Sequence, residues 1–282
     1  MNAGCFGENN SGLILRNLKV VLSEVNIPDK ILKIALLQDR PGSGIRQPFM
    51  DRLITEPPDI LALPEYYFVA LGDNSVVASS FRKEEIIEEL KRLSSVLGCI
   101  LVGGSVVEHV NGGLYNRSYL LDSGLTIGFY DKIHPYDNEG RGFIKEGTEY
   151  KVFEVRGIRI GILICADVLY RGSFENIRGL RPDLIFIPTT SPYKPAESQG
   201  VKFARDRRIF AEGASRANSI IFKVCASGSI AGHSLQGRSL VASPGKILWR
   251  IEPEFEDRTA LIIAELSGDT LTPRLDIMVY HA

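Results

Sequence analysis

The chain has 282 residues, 44% hydrophobic and 24% charged, with a formal net charge of −1. This is the composition of a soluble globular protein with ample core, and the balanced charge excludes the basic surface of a general nucleic-acid or anionic-membrane binder. Apolar runs stop short of membrane-spanning length, no leader-like segment opens the sequence, and the cysteines at 5, 99, 165 and 225 lack CxxC or Cys/His spacing, so the expectation is a cytoplasmic protein with neither disulfide framework nor zinc site.

Residues 1–28 read as an N-terminal extension and 29–282 as the folded body. In the extension, Leu15, Leu18, Leu22 and Val25 recur at helical spacing behind Ser11, which predicts a helix over 11–25, with a strand at Leu18–Leu22 as the alternative. Leu32–Leu37 reads as a strand, Phe49–Thr55 as a short helix ending before Pro57-Pro58, and Asp59–Leu63 as a second strand. Lys83–Leu97 carries an apolar stripe of Ile86, Ile87, Leu90, Leu93 and Leu97, with Gly98 placed as a C-terminal cap. Cys99–Val107 follows as one strand. Leu114–Asp122 and Leu125–Lys132 form a hairpin, as do Val152–Val155 and Ile158–Cys165. Leu184–Pro188 is a strand. Gln199–Asn218 reads as one long helix with Phe203, Arg207, Phe210 and Ala214 near one face. Ile220–Ala226, Leu235–Ala242, Lys246–Ile251 and Leu261–Leu266 complete the strands, and Pro273 breaks the tail from Thr270. No linker or repeat divides these elements. Hairpins mixed with strand–helix–strand units give an α/β chain of the α+β type, with helix-covered sheets in a single domain.

Three apolar strands share one design, each running into a chemically able side chain. Ile60–Pro64 delivers Glu65, Thr126–Tyr130 delivers Lys132, and Ile158–Ile164 delivers Cys165. Singly, each has a plain reading: a first-turn acid, a lysine solvating a strand end, and a small core thiol. Together they are the parts of acyl transfer through a thioester, namely a base, an oxyanion partner and a nucleophile. Other constellations fall short. Gly232–Gly237 is one residue too long for a nucleophile elbow, and Gly140-x-Gly142 lacks a third glycine. The basic run Lys202-x-x-Arg205-x-Arg207-Arg208 is interleaved with Asp206, which favours a solvated or subunit-contact face. His109, His134, His233 and His281 show no metal-ligand spacing.

Leu63-Pro64-Glu65-Tyr66-Tyr67-Phe68, Tyr130-Asp131-Lys132-Ile133-His134-Pro135 and Gly161-Ile162-Leu163-Ile164-Cys165-Ala166-Asp167 resemble, in order, the three signature blocks of the nitrilase superfamily of carbon–nitrogen hydrolases. Lys33–Gln38, Arg216–Asn218, Gly237–Ser239 and Ser243–Leu248 extend the likeness, which runs from about Leu32 to Leu266. The resemblance implies a four-layer α-β-β-α sandwich and a Glu-Lys-Cys triad, with Glu65 as general base, Lys132 as oxyanion partner and Cys165 as nucleophile. It implies a second glutamate at Glu139, with Glu146 as the other candidate. The backbone N–H of Ala166 would complete the oxyanion site, and Tyr66, Tyr67, Tyr136, Thr190, Ser191 and Tyr193 are candidates to line the pocket. Such chemistry needs no metal or organic cofactor. Ala166-Asp167 stands where nitrile-cleaving members tend to have Trp-Glu. That tilts the expected substrate toward a small amide or N-carbamoyl compound. The alternatives are a nitrile, acyl transfer to an amine, or binding without turnover. Family members commonly associate, so a homodimer or larger homo-oligomer is expected.

Overall fold

A computed structural model of the protein describes residues 16–17, 20–21, 31–136, 139–266, 270–271 and 274–280. Two sheets lie face to face between two layers of helices, a four-layer α-β-β-α sandwich. The first sheet runs Arg16–Asn17, Arg274–Tyr280, Thr259–Leu266, Leu32–Gln38, Ile60–Ala62, Ile100–Val102, Gly113–Asp122 and Val106–Val110, with Leu125–Asp131 also paired to Gly113–Asp122. The second runs Lys246–Arg250, Leu240–Ser243, Ile220–Cys225, Leu184–Thr189, Ile158–Ile162 and Val152–Val155. Each sheet has a parallel centre. Ile34 aligns with Ile60 and Ile60 with Ile100, while Ile160 aligns with Leu184 and Leu184 with Ile220. Parallel strands deliver all their C-terminal ends to one edge, and that edge is where side chains from distant parts of the sequence can converge.

The central strands read as unbroken apolar runs because both faces of each sheet are covered. Ile34, Leu36, Ile60, Ala62, Ile100 and Val102 belong to the inter-sheet core with Ile160, Ile162, Phe186 and Phe222. Their sequence neighbours Ala35, Leu37, Leu61, Leu63 and Leu101 pack instead with Phe49 and Leu53 of helix Gln47–Thr55 and with Ile86, Leu90 and Leu93 of helix Lys83–Leu97. Burying one such aliphatic side chain is worth roughly 1.5–3 kcal/mol. Helix Lys83–Leu97 ends as its sequence requires: Gly98 takes φ +59° and donates its N–H to Ser94 and Ser95.

The structure corrects four sequence expectations. Cys99–Val107 is not one strand: Ile100–Val102 and Val106–Val110 are separated at Gly103-Gly104, with Gly104 at φ +63°. The tail is not irregular, since Arg274–Tyr280 pairs antiparallel with Thr259–Leu266, one position beyond the proline expected to stop it. Arg16–Asn17 and Val20–Val21 are strands, not helix, while the rest of 11–25 lies outside the described residues. Finally, the Gln199–Asn218 helix contains a π turn at Arg207–Ala211, and its buried residues include Lys202, Asp206, Phe210 and Ala214, with Phe203 and Arg207 exposed. Hydropathy misplaces that face because its inward residues are charged and paired, Lys202 with Glu256 at 3.1 Å and Asp206 with Arg238. Two further helical stretches, Val76–Arg82 and Arg171–Arg178, are only 7 and 8 residues long, too short for the sequence pattern to mark them. Among the described residues no helix is long and apolar enough to cross a membrane.

Candidate active site

Glu65 leaves the Ile60–Ala62 strand through Leu63-Pro64 in a tightly packed turn. A Cβ on Gly104 would fall 2.2 Å from the Pro64 carbonyl oxygen, so the neighbouring loop clears Glu65's backbone only as glycine. Tyr66 sits at φ +58° with its N–H on Ser105 Oγ at 3.2 Å. Cys165 begins a short 3-10 turn, Cys165–Leu169, and takes φ +42°. A non-glycine residue in that region costs on the order of 1–3 kcal/mol and persists only where its surroundings fix it. Asp167 does the fixing. Its buried carboxylate accepts the N–H of Ile164, the N–H of His134 and the Tyr130 hydroxyl, each at 2.8 Å.

Lys132 is almost fully buried between two carboxylates, its Nζ 2.8 Å from Glu65 Oε1 and 2.7 Å from Glu139 Oε2. Thr190, at the end of Leu184–Thr189, joins the acid to the thiol. Its N–H and hydroxyl donate to Glu65 Oε2 at 2.9 and 2.5 Å, and its carbonyl accepts from Cys165 Sγ at 3.3 Å. Asn116 Nδ2 lies within hydrogen-bond distance of Glu65 Oε1 at 3.0 Å, Glu139 Oε1 at 2.7 Å and the Tyr66 hydroxyl at 2.8 Å. The Tyr66 hydroxyl in turn donates to Glu139.

The charges act on one another in directions that the geometry explains. Burial pushes the Cys165 thiol well above its ordinary range and the charge of Glu65 pushes it further, while Lys132 pulls it down. Burial works against the Lys132 ammonium, but Glu65, Cys165 and Glu139 outweigh it and hold that lysine above its ordinary value. Burial likewise opposes the Glu139 carboxylate, yet Lys132, Tyr66 and the Tyr136 N–H keep it below the usual carboxylate range. With both acids ionised and the lysine protonated, the three groups carry a net charge of −1. Ionising the thiol by loss of a proton to solvent would make it −2, whereas passing that proton to Glu65 leaves it unchanged. Cys165 as a residue is half-buried, in contrast to the buried Cys99 and Cys225.

Of the sequence candidates, Glu65, Lys132, Glu139, Tyr66, Thr190 and Cys165 come together, and Ala166, next to Cys165 in sequence, is buried. Glu146 does not join them and is exposed. Tyr67 turns away, its hydroxyl on Asp39 at 3.2 Å and its ring in the helix-facing core. Tyr136 and Tyr193 are 60% and 54% exposed; Tyr136 reaches the site through its backbone, donating its N–H to Glu139 at 2.7 Å, whereas Tyr193 donates its N–H to Ser234 at 2.9 Å and does not join the cluster. Tyr66 is held by polar partners of its own instead of lining open space. Two residues escaped sequence reasoning. Asn116 had a signal, since asparagine is depleted in strand interiors and this one stands within Gly113–Asp122. Asp167 had a weaker one, an acid two positions after the thiol in an apolar run. Among the described residues no group of three or more His, Cys, Asp or Glu is arranged to hold a metal ion.

The carbon-nitrogen hydrolase family model matches residues 51–272. The chain belongs to the carbon–nitrogen hydrolase family. Among this hydrolase's relatives, the omega-amidase YafV of Yersinia enterocolitica is 29% identical over 76% of this chain and 79% of its own. The N-carbamoylputrescine amidase of Arabidopsis thaliana is 24% identical over 69% of this chain and 68% of its own. The glutamine-dependent NAD(+) synthetase of Acinetobacter baylyi is 23% identical over 60% of this chain, but the match spans only 33% of that longer protein. The crystal structure of an amidase from Nesterenkonia sp. superposes with a TM-score of 0.71 at 18% identity, covering 86% of this chain and 93% of that one, and so shares its fold.

Proposed function

We propose that this carbon–nitrogen hydrolase cleaves a small amide or N-carbamoyl substrate through a thioester on Cys165. One observation carries the reading: a single ammonium, Lys132, bridges Glu65 and Glu139 at 2.8 and 2.7 Å, and Thr190 ties Glu65 to the Cys165 thiol. Glu65 takes the thiol proton as sulfur attacks the carbonyl carbon. The oxyanion is met by the Lys132 ammonium and the Ala166 N–H, and such a donor is worth roughly 3–4 kcal/mol. Glu65 returns the proton to the departing nitrogen, ammonia or an amine leaves, and the acyl group stays on sulfur. Glu65 then takes a proton from water as its oxygen attacks the thioester, and the acid departs as the thiol is restored. Glu139 holds Lys132 charged and in place. The amidases among the relatives support an amide-type substrate.

The hydrolase unit is assigned to 29–282, in the cytoplasm, associated as a homodimer or larger homo-oligomer. Leu169, Tyr170 and Phe203 remain exposed on the layer that follows the nucleophile, which supports such association.

Ammonia release over a panel of amides, carbamoyl compounds and nitriles tests the reaction, and mass spectrometry of quenched enzyme tests the thioester. Cys165→Ala is expected to lose turnover and adduct while keeping its melting temperature. Substantial residual turnover in that variant refutes the nucleophile assignment.

A further inference from the structure

An ionised carboxylate offers about four lone-pair directions and no hydrogen. Those of Glu65 are all taken. Oε1 accepts from Lys132 Nζ at 2.8 Å and from Asn116 Nδ2 at 3.0 Å, and Oε2 accepts from the Thr190 N–H at 2.9 Å and the Thr190 hydroxyl at 2.5 Å. The Cys165 proton therefore meets a base whose every position already faces a donor. Once Glu65 holds that proton it is itself an O–H donor in a buried place, and a buried donor needs an acceptor.

Three of the four partners cannot supply one. An ammonium and a backbone N–H donate and do not accept. The Asn116 amide presents its oxygen only by turning over, which would also set that oxygen against the ionised Glu139 Oε1, 2.7 Å away. The Thr190 hydroxyl differs, because one oxygen both donates and accepts. Among the described residues it makes no hydrogen bond but the one to Glu65, and Thr190 is half-buried, so its hydrogen can turn toward solvent or bound substrate. The preceding threonine lacks that freedom: the Thr189 hydroxyl is buried and donates to the Ile187 carbonyl at 3.0 Å. The other hydroxyl of the cluster, that of Tyr66, donates to Glu139 instead. Thr190 also touches the source of the proton, since its carbonyl accepts from Cys165 Sγ at 3.3 Å.

We propose that Thr190 is a positioning residue whose hydroxyl reverses each time Glu65 gains and gives up a proton. This inference rests on the hydrolase reading above. In the resting site the hydroxyl donates to Glu65 Oε2. As the Cys165 sulfur bonds to the carbonyl carbon, its S–H bond breaks and an O–H bond forms at Oε2. The Thr190 hydroxyl rotates about its C–O bond and accepts that hydrogen, with no bond of its own broken. When the proton passes from Oε2 to the departing nitrogen, the hydroxyl turns back and donates again. The travelling proton thus sits on Oε2, and Oε1 stays with Lys132 throughout.

The test is steady-state kinetics on the amide or carbamoyl compound of the panel above with the highest wild-type kcat/KM. Thr190→Val keeps the side chain's shape and the backbone N–H but has no hydroxyl. Ionised Glu65 then retains three donors, so KM holds, whereas protonated Glu65 has no acceptor. The expected fall in kcat is roughly ten- to a hundredfold, the cost of one buried donor without a partner. Thr190→Ser keeps the hydroxyl and restores most of kcat, which a role confined to packing the methyl group would not allow. Thr190→Ala gives the same loss as Thr190→Val and serves in its place should the valine disturb the strand end. A wild-type kcat in the variants without a hydroxyl, a loss that Thr190→Ser shares in full, or a change confined to KM overturns the inference and leaves the hydrolase reading standing. Absence of both turnover and a Cys165 adduct in the wild-type protein overturns both.

Discussion

The carboxylate of Asp167 accepts the backbone N–H of His134 at 2.8 Å, so one side chain of the Cys165–Leu169 turn holds the segment that follows Lys132. The same carboxylate takes Ile164 N–H and the Tyr130 hydroxyl. Asp167→Ala strands three buried donors at once. One buried unpaired donor costs about 1–3 kcal/mol, so a loss of at least about 3 kcal/mol is expected, or roughly 6–12 °C in melting temperature. Turnover should fall as well, because Cys165 loses the support of its left-handed backbone. Thermal unfolding checks this, and an unchanged melting temperature contradicts it.

Glu65→Gln separates the two effects of Glu65 on the thiol. Burial raises Cys165 first and the Glu65 charge raises it next. Removing that charge lowers the thiol's pKa, so alkylation of Cys165 by iodoacetamide should reach its inflection at lower pH and run faster at pH 7 than in the wild-type protein. Amide turnover should fall by about two orders of magnitude or more, since the same change removes the proton acceptor. Alkylation that slows at every pH contradicts the electrostatic account.

Much of the sandwich was legible because burial on two faces leaves a plain mark. Ile160–Ile164 and Leu184–Pro188 are apolar throughout, and Lys83–Leu97 has both stripe and cap. What hid was whatever depends on partners distant in sequence. Arg274–Tyr280 is a strand because Thr259–Leu266 offers it an edge, which no local pattern announces. Lys202 and Asp206 face inward because Glu256 and Arg238 neutralise them there. The blocks around Glu65, Lys132 and Cys165 announced the three groups, but not that Asn116 spans two carboxylates or that Thr190 links acid to thiol. Short polar side chains carry many meanings in sequence and acquire one only when the strand ends converge.

Glu139 should contribute stability whose pH dependence has a definite sign. Its folded-state carboxyl lies below the ordinary range, against burial, because of Lys132, Tyr66 and the Tyr136 N–H. A carboxyl depressed below its unfolded value of about 4.3 stabilises the fold above that pH, and the benefit disappears as pH falls through the folded value. Glu139→Gln should therefore be less stable than wild type at pH 7, with the gap closing below about pH 4. Urea unfolding across that range checks it, and a gap independent of pH contradicts the linkage.

Lys132→Met should invert that dependence. In the wild-type protein the ammonium compensates two buried acids, Glu65 and Glu139. Without it they face each other across Asn116, and breaking a buried ion pair by removing one partner costs about 3–5 kcal/mol. Like charges in a dry site drive one carboxyl to hold a proton, which raises its folded-state pKa above the unfolded value. For an acid raised in this way, stability is highest below the unfolded pKa and falls as pH rises through the folded one. The variant should thus unfold at lower urea at pH 7 than at pH 5, and it should lose turnover at both pH values because the oxyanion has lost its cation. Equal stability at the two pH values would mean that another group has replaced the lysine as the counter-charge, and the electrostatic frame of the site would have to be redrawn around it.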